Sequence, residues 1–247
     1  MMGAAILTLA CINVERSKHR SRVVTFLKAQ SPDVVCLQEM MVDDVPSLCE
    51  DLGYAHRFYV PMCRFPEPEG PRTEGVAILS RLPFVSAESV RYAGGGSGSD
   101  LLDRSTEESR FATNRYSVAV VGVSVAGEMF SIGTTHFPWT DNARTAGFQR
   151  TACDGLLSAL QDRSLVLCGD FNAPRGKEIF TRLTGCWTDN IPLTYTSSLD
   201  PVLHRAGPLP LVVDAVFSTA DYNVCDVVLH QGVSDHCAIT FTIDKRT

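Results

Sequence analysis

In Leu165-Val166-Leu167-Cys168-Gly169-Asp170-Phe171-Asn172, four apolar residues run without interruption into a glycine and then into Asp, Phe and Asn. A short continuous apolar run bounded by turn-forming residues is the pattern of a buried strand, and it predicts one over 164–169. Upstream, Phe148, Leu156, Leu157 and Leu160 recur on one side of a helix predicted over about 143–162. Downstream, a short helix is predicted near 176–183. A buried strand between two helices is the local pattern of an α/β fold, where helices cover a sheet.

Working outward, the beginning of the chain repeats this pattern. Residues 4–12 predict a buried strand. Residues 16–30 predict an amphipathic helix with Val23, Val24, Phe26 and Leu27 on one face, closed by Pro32. Asp33–Gln38 predicts a second strand; Asp43 or Asp44 can cap a second helix that ends at Gly53. The middle changes character, with short strands predicted over 54–60, 75–80, 84–91, 115–125 and 128–135 and a turn at Gly127-Glu128, which fits an antiparallel section. The chain closes on strands near 212–218, 224–230 and 237–243. Gly94–Ser99 with its charged run to Arg110, and the Pro-containing segment 196–210, are expected to be mobile surface loops. The glycine run fits a flexible linker better than a phosphate-cradling loop, because no helix opening on Lys-Ser or Lys-Thr follows. With no internal repeat, residues 1–247 are expected to form a single domain.

The 45% hydrophobic and 20% charged composition of these 247 residues excludes wholesale disorder. Net charge is −6, so no global positive field can hold a polyanion, and such a partner must be bound locally. The nine cysteines form no C-x-x-C pair and several lie in apolar runs, so they are expected to be small buried hydrophobes in a reducing, cytoplasmic or nuclear, compartment. The opening MMGAAILTLACINVE lacks a basic leading region and is expected to be a core strand rather than a signal peptide. No segment approaches the ~20 apolar residues of a membrane span.

Polar residues stand where the apolar runs end: Asn13, Glu39, His136, Asp170 and Asn172, with Asp214 inside Leu211–Phe217. In an α/β fold such strand ends gather into one crevice. Asp235-His236 opens the last strand, and an antiparallel return would bring it to the same edge. Taken singly, each has a plainer reading: Asn13, Asp170, Asn172 and Asp235 as turn formers, Glu39 as a helix-start carboxylate, His136 as a strand-end histidine. Asp214 is harder to dismiss, because an aspartate among valines is costly to bury without a partner.

As an ordered set, Ile12-Asn13, Cys36-Leu37-Gln38-Glu39, Glu74 through Arg81, Thr135-His136, Gly169-Asp170-Phe171-Asn172, Val213 through Phe217 and Ser234-Asp235-His236 resemble the endonuclease/exonuclease/phosphatase superfamily of pancreatic deoxyribonuclease-like and apurinic endonuclease-like hydrolases. The resemblance spans almost the whole chain. It implies a four-layer α/β/β/α sandwich, two mixed β-sheets face to face with helices outside. It also implies roles: Glu39, Asn13 and Asp235 at Mg²⁺, with Mn²⁺ as a substitute; Asp170 orienting and deprotonating the attacking water; Asn172 donating to the phosphoryl group; Asp214 holding His236; and His136, paired with Glu74, at the leaving group. Asn172, two residues beyond Asp170, is expected on the same side of an extended segment. Arg110, Arg115 and Arg175 are candidates for phosphate contact. The first block departs from the family's common aromatic-Asn form by reading Cys11-Ile12-Asn13, and no basic block surrounds the set.

The expectation is a monomeric Mg²⁺-dependent phosphoesterase that cleaves phosphodiester bonds of nucleic acid or a nucleotide conjugate by in-line attack of water. A phosphomonoesterase or a phospholipid or inositol-phosphate phosphoesterase is the alternative within the superfamily, and a catalytically inactive binding module is the alternative outside it. A pure nucleic-acid binder would need a basic stripe with aromatics, which the chain lacks.

Overall fold

The computed structural model describes residues 5–246. Its first half runs β1 (Leu7–Asn13), α1 (Arg20–Gln30), β2 (Val34–Met41), α2 (Val45–Leu52), β3 (His56–Phe65), β4 (Arg72–Ser80) and β5 (Phe84–Ala93). Then follow α3 (Glu107–Thr113), β6 (Tyr116–Val125), β7 (Glu128–His136), α4 (Gly147–Leu160), β8 (Val166–Asp170) and α5 (Glu178–Thr184). The chain closes with β9 (Thr188–Asp189), β10 (Asp214–Ser218), β11 (Tyr222–His230) and β12 (Ala238–Lys245). The expected first strand began at residue 4, which lies outside the described residues.

The strands form two six-stranded mixed sheets, ordered β11-β12-β1-β2-β4-β3 and β5-β6-β7-β8-β10-β9. Each sheet holds a parallel pair, β1 with β2 and β7 with β8, joined through α1 and α4 respectively. A parallel connection must cross over the sheet, which is why each of these pairs needs a helix between its strands. The polar C-terminal ends Asn13 and Glu39 therefore share one edge of the first sheet, and His136 sits directly opposite Asp170 on the second.

Strand periodicity builds the layers. Leu7, Leu9, Cys11, Val34, Cys36, Val76 and Ile78 belong to the core between the sheets, with Val118, Phe130, Ile132 and Cys168. Their neighbours in sequence, Ala10, Ile12, Val35, Leu37, Ala77 and Leu79, pack with Val23 and Leu27 of α1 and Leu48 and Leu52 of α2. Successive residues of a strand face opposite sides, so a continuous apolar run supplies both layers at once. Ala152, Leu156 and Leu160 of α4 and Ile179 and Leu183 of α5 cover the second sheet, completing the four-layer sandwich. No helix among the described residues is long and apolar enough to cross a membrane.

Several expectations change. The first helix starts at Arg20 rather than 16, because Glu15 and Arg16 take left-handed backbone with φ of 45° and 61°. Asp44 precedes α2 but gives its carboxylate to Arg72 and Ser17 instead of capping, while Gly53 closes the helix at φ 70° as expected. Seven cysteines are buried, but Cys186 and Cys225 are exposed, and all nine are free.

The glycine run is not a loose linker. A Cβ at Gly95 would stand 2.4 Å from the Ala112 carbonyl oxygen, and one at Gly96 would stand 2.4 Å from that of Thr113, so the run packs against α3 where no side chain fits. Helix α3 itself was missed, since its seven residues carry no apolar period. The segment 196–210 is tied down at its start: Leu199 bridges to His236, and Asp200 accepts from the amides of Val202, Leu203 and Gly232.

Candidate active site

The site lies where the same edge of both sheets meets. Asn13 donates from Nδ2 to Asp170 Oδ2 at 3.0 Å and to Glu39 Oε1 at 3.3 Å, linking the first sheet to the second. Asp170 is 1% exposed, and its Oδ2 faces His136 Nε2 at 3.5 Å and His236 Nε2 at 3.7 Å. A buried carboxylate needs such donors. His236 reaches across from the start of β12 with Nδ1 at 2.8 Å from Asp214 Oδ2. Burial alone would push this imidazole down, but the carboxylates of Asp214 and Asp170 hold it well above the usual histidine range, which favours its charged form. The register Cys11↔Ile239 between antiparallel β1 and β12 places the start of β12 at the end of β1, as the return-strand argument required.

Glu39 owes its aim to a backbone irregularity. It has φ 53°, and the pairing of β2 with β4 slips between Leu37 and Met40. A β-bulge re-aims a side chain at the cost of local strain, and strained residues concentrate at functional sites. Gly169 has a related task, because a Cβ there would lie 2.1 Å from the Thr135 carbonyl oxygen where β8 crowds β7 just before Asp170.

Two expected pairings differ. Glu74 does not pair with His136; it lies 3.5 Å from Arg16, whose guanidinium also contacts Glu39. The reason is topological, because Glu74 sits in the first sheet opposite Met41, next to Glu39 in the register, while His136 is held in the second. Burial and the Glu39 charge push the Glu74 carboxyl up to about 8 despite Arg16. Asn172 does not follow Asp170 along an extended segment either. The chain turns there with φ 46°, the Asn172 backbone N–H donates to Asp170 Oδ1 at 2.8 Å, and the Asn172 amide donates to the Phe137 carbonyl at 3.0 Å. The turn former and the site residue are thus the same residue.

Asp235 is raised by burial and by the neighbouring Glu39 and Glu15 charges, with His236 opposing. Glu15, His19 and Asp235 bring ligand-type atoms within 4.8 Å of one another, as do Asp170, Asp214 and His236. Glu15 and His19 were not singled out from the sequence; the available signal was Glu15 standing two residues beyond strand-end Asn13. Ser198, also missed, is fully buried and its Oγ accepts the amides of Val213 and Asp214, fixing the start of β10. Arg175 turns to Asp189 at 2.8 Å and to the Ile191 carbonyl, with its buried Nε left without a partner, and Arg115 donates to Ser117 and Ser89. Arg110 instead lies over the Trp139 ring.

The donor set suits a hard divalent cation. Carboxylate oxygens of Glu15 and Asp235 come together with His19, and those of Asp170 and Asp214 with His236, the hard oxygen-rich set that such an ion takes.

A mixed two-sheet sandwich with Asn, Glu, two Asp and two His on one edge defines the class. The endonuclease/exonuclease/phosphatase family profile matches residues 11–236, and the chain belongs to that family, whose members hydrolyse phosphate esters. Among individual proteins, the chain is similar to Nocturnin of Drosophila melanogaster, 28% identical over 180 residues that cover 66% of this chain and 25% of that protein. The chain thus spans about a quarter of the length of that relative. The human Nocturnin catalytic domain with bound sulfate superposes with a TM-score of 0.69 at 16% identity, covering 98% of this chain and 94% of that one. ANGEL2, described as a 2',3'-cyclic phosphatase in complex with adenosine-2',3'-vanadate, gives a TM-score of 0.72 at 14% identity over 100% of this chain and 97% of that one.

Proposed function

We propose that this chain is a Mg²⁺-dependent phosphoesterase that hydrolyses phosphodiester bonds of nucleic acid or a nucleotide conjugate by in-line attack of water. The observation that carries the proposal is Asp170, a buried carboxylate whose Oδ2 is oriented by Asn13 and faces both His136 and His236. Glu39, Asn13 and Asp235 would hold the Mg²⁺, with Mn²⁺ as a substitute. Bound there, the cation supplies charge to the phosphoryl and leaving oxygens. Asp170 accepts the proton of the attacking water. His236, kept charged by Asp214, donates from Nε2 to a non-bridging oxygen as negative charge builds on it. His136 delivers a proton to the leaving oxygen, and Asn172 offers its second amide proton to the phosphoryl group. Glu74 acts through Arg16, which it helps hold beside Glu39. ANGEL2, with an adenosine 2',3'-vanadate bound, supports a nucleotide as the ligand class.

The test is hydrolysis of bis(4-nitrophenyl) phosphate against 4-nitrophenyl phosphate with Mg²⁺, Mn²⁺ or EDTA, followed by single- and double-stranded oligonucleotides. Diester cleavage that EDTA abolishes is expected. Turnover of the monoester alone would move the assignment to a phosphomonoesterase, and nucleotide binding without turnover of any ester would leave an inactive binding module.

A further inference from the structure

Arg104 and Arg110 are held in an unusual way. The Arg110 guanidinium lies 4.7 Å from the centroid of the Trp139 ring, and that of Arg104 lies 5.1 Å from the centroid of Phe65, with Arg16 also over Phe65 at 4.4 Å. Among the described residues, no carboxylate forms an ion pair with Arg104 or Arg110. An aromatic face orients a guanidinium without neutralising it and leaves its N–H fork free, whereas a carboxylate would consume both charge and donors. Arg110 is half-buried, and burial and the neighbouring Arg104 charge lower its pKa, with Glu39 and Glu74 close enough to oppose them. Two guanidiniums thus stand near one another, neither in an ion pair among the described residues.

The segment that carries them is fixed to both rims of the site. Arg64, beside Phe65, donates its amide to the Asp100 carbonyl at 2.7 Å and accepts from the Leu102 amide at 3.0 Å. Glu107, at the start of α3, accepts from the Asp141 amide and pairs with Arg144 in the loop that follows Trp139. The two guanidiniums are therefore placed beside the carboxylate cluster by the fold, and Trp139 comes three residues after His136.

We propose that Arg104 and Arg110, seated on Phe65 and Trp139, form a second anion subsite that takes a phosphate of the nucleotide substrate other than the phosphate being hydrolysed. The proposal rests on the phosphoesterase assignment above and narrows its substrate to nucleotides with two or more phosphates. The second phosphate can come from the next link of a polynucleotide or from a terminal phosphate of a small nucleotide. A guanidinium fork matches either one geometrically.

The experiment compares wild type, Arg104→Gln/Arg110→Gln and Arg104→Lys/Arg110→Lys on three substrates: bis(4-nitrophenyl) phosphate, which has one phosphate; a 5'-phosphorylated dinucleotide against its unphosphorylated form; and an oligothymidylate. The Gln pair is expected to lower kcat/KM for the two-phosphate substrates at least ten-fold more than for bis(4-nitrophenyl) phosphate, chiefly through KM, with the Lys pair recovering part of the loss. Loss confined to the 5'-phosphorylated dinucleotide assigns the subsite to a terminal phosphate. Loss on the oligonucleotide, with a shallower salt dependence of binding, assigns it to the backbone. Equal losses on all substrates, with melting unchanged, overturn the subsite. Wild-type inactivity on every diester overturns the phosphoesterase reading instead.

Discussion

The two sheets contribute different electrostatics to one crevice. On the second sheet, Asp170 and Asp214 are almost fully buried, and their partners are an amide and two imidazoles, groups that orient or exchange protons. On the first sheet, Glu39 is half-buried and is met by the guanidinium of Arg16; beyond Asn13, Glu15 is met by Lys18 and His19. The first set is the one to which the proposed mechanism gives proton transfer. The second is a carboxylate cluster built to face positive charge. Asn13 and His236 cross from the first sheet to second-sheet carboxylates, and His136 faces back to Glu39 with Nε2 at 4.0 Å from Oε1. In the proposed mechanism, water activation and cation binding fall to opposite rims.

The largest effect that would break this division is at Asp170. Asp170→Asn removes the proton acceptor while keeping an oxygen for the Asn172 backbone N–H, so turnover should fall by roughly 10²–10⁴-fold and raising Mg²⁺ should not restore it. Glu39→Gln should lose activity too, but raised Mg²⁺ should recover a measurable part, with weaker metal affinity in calorimetry. Recovery of the Asp170 variant by Mg²⁺ would show that the rims are not distinct.

Next in size is Asp214→Asn. Removing the charge opposite a buried imidazolium costs about 3–5 kcal/mol when the partner stays charged, which at this chain length lowers Tm by roughly 10 °C. A histidine whose folded pKa is raised contributes stability that is fully present below its unfolded pKa of about 6.5 and is lost as pH rises through the folded value. The Tm difference between wild type and variant should therefore be largest at acidic pH and shrink on the alkaline side. The alkaline limb of activity should also move to lower pH in the variant, because His236 then loses its charge earlier.

The smallest effect sharpens the first-sheet description. The Glu74 carboxyl is pushed up to about 8, so folding takes up a proton there between its ordinary range and that value, and stability falls as pH rises through this window. Glu74→Gln, which keeps an oxygen for Arg16, should melt like wild type near pH 4 in EDTA and increasingly above it towards pH 8. A constant difference across that range would mean that Glu74 is not strained by its neighbours' charge.

Much of this was legible along the chain. The apolar runs at 7–12, 34–37 and 165–168 announced buried strands, and polar residues at their ends announced the edge where chemistry gathers. Local patterns could do this because alternation and run length depend on immediate neighbours. The glycine run was misjudged for the same reason: composition says flexible, while the close approach of α3 says crowded. Glu74 was placed beside the wrong partner, since sequence order carries no record of which sheet a strand joins. The aromatic seats of Arg104 and Arg110 lie 39 and 29 residues away along the chain, at Phe65 and Trp139, and nothing local connects them.

By itself, the sequence determined which strands are buried, which residues end them and, through the ordered blocks, the endonuclease/exonuclease/phosphatase family. Tertiary structure alone decided the pairings: the bulge that aims Glu39, the turn that folds Asn172 back on Asp170, the antiparallel return that brings His236 to Asp214, and the Arg16 bridge that takes Glu74 from His136. The physical reason is range. Propensity and periodicity act over a few residues, whereas the ionic and hydrogen-bonded partners of this site are set by which strand ends the two sheets bring within a few ångströms.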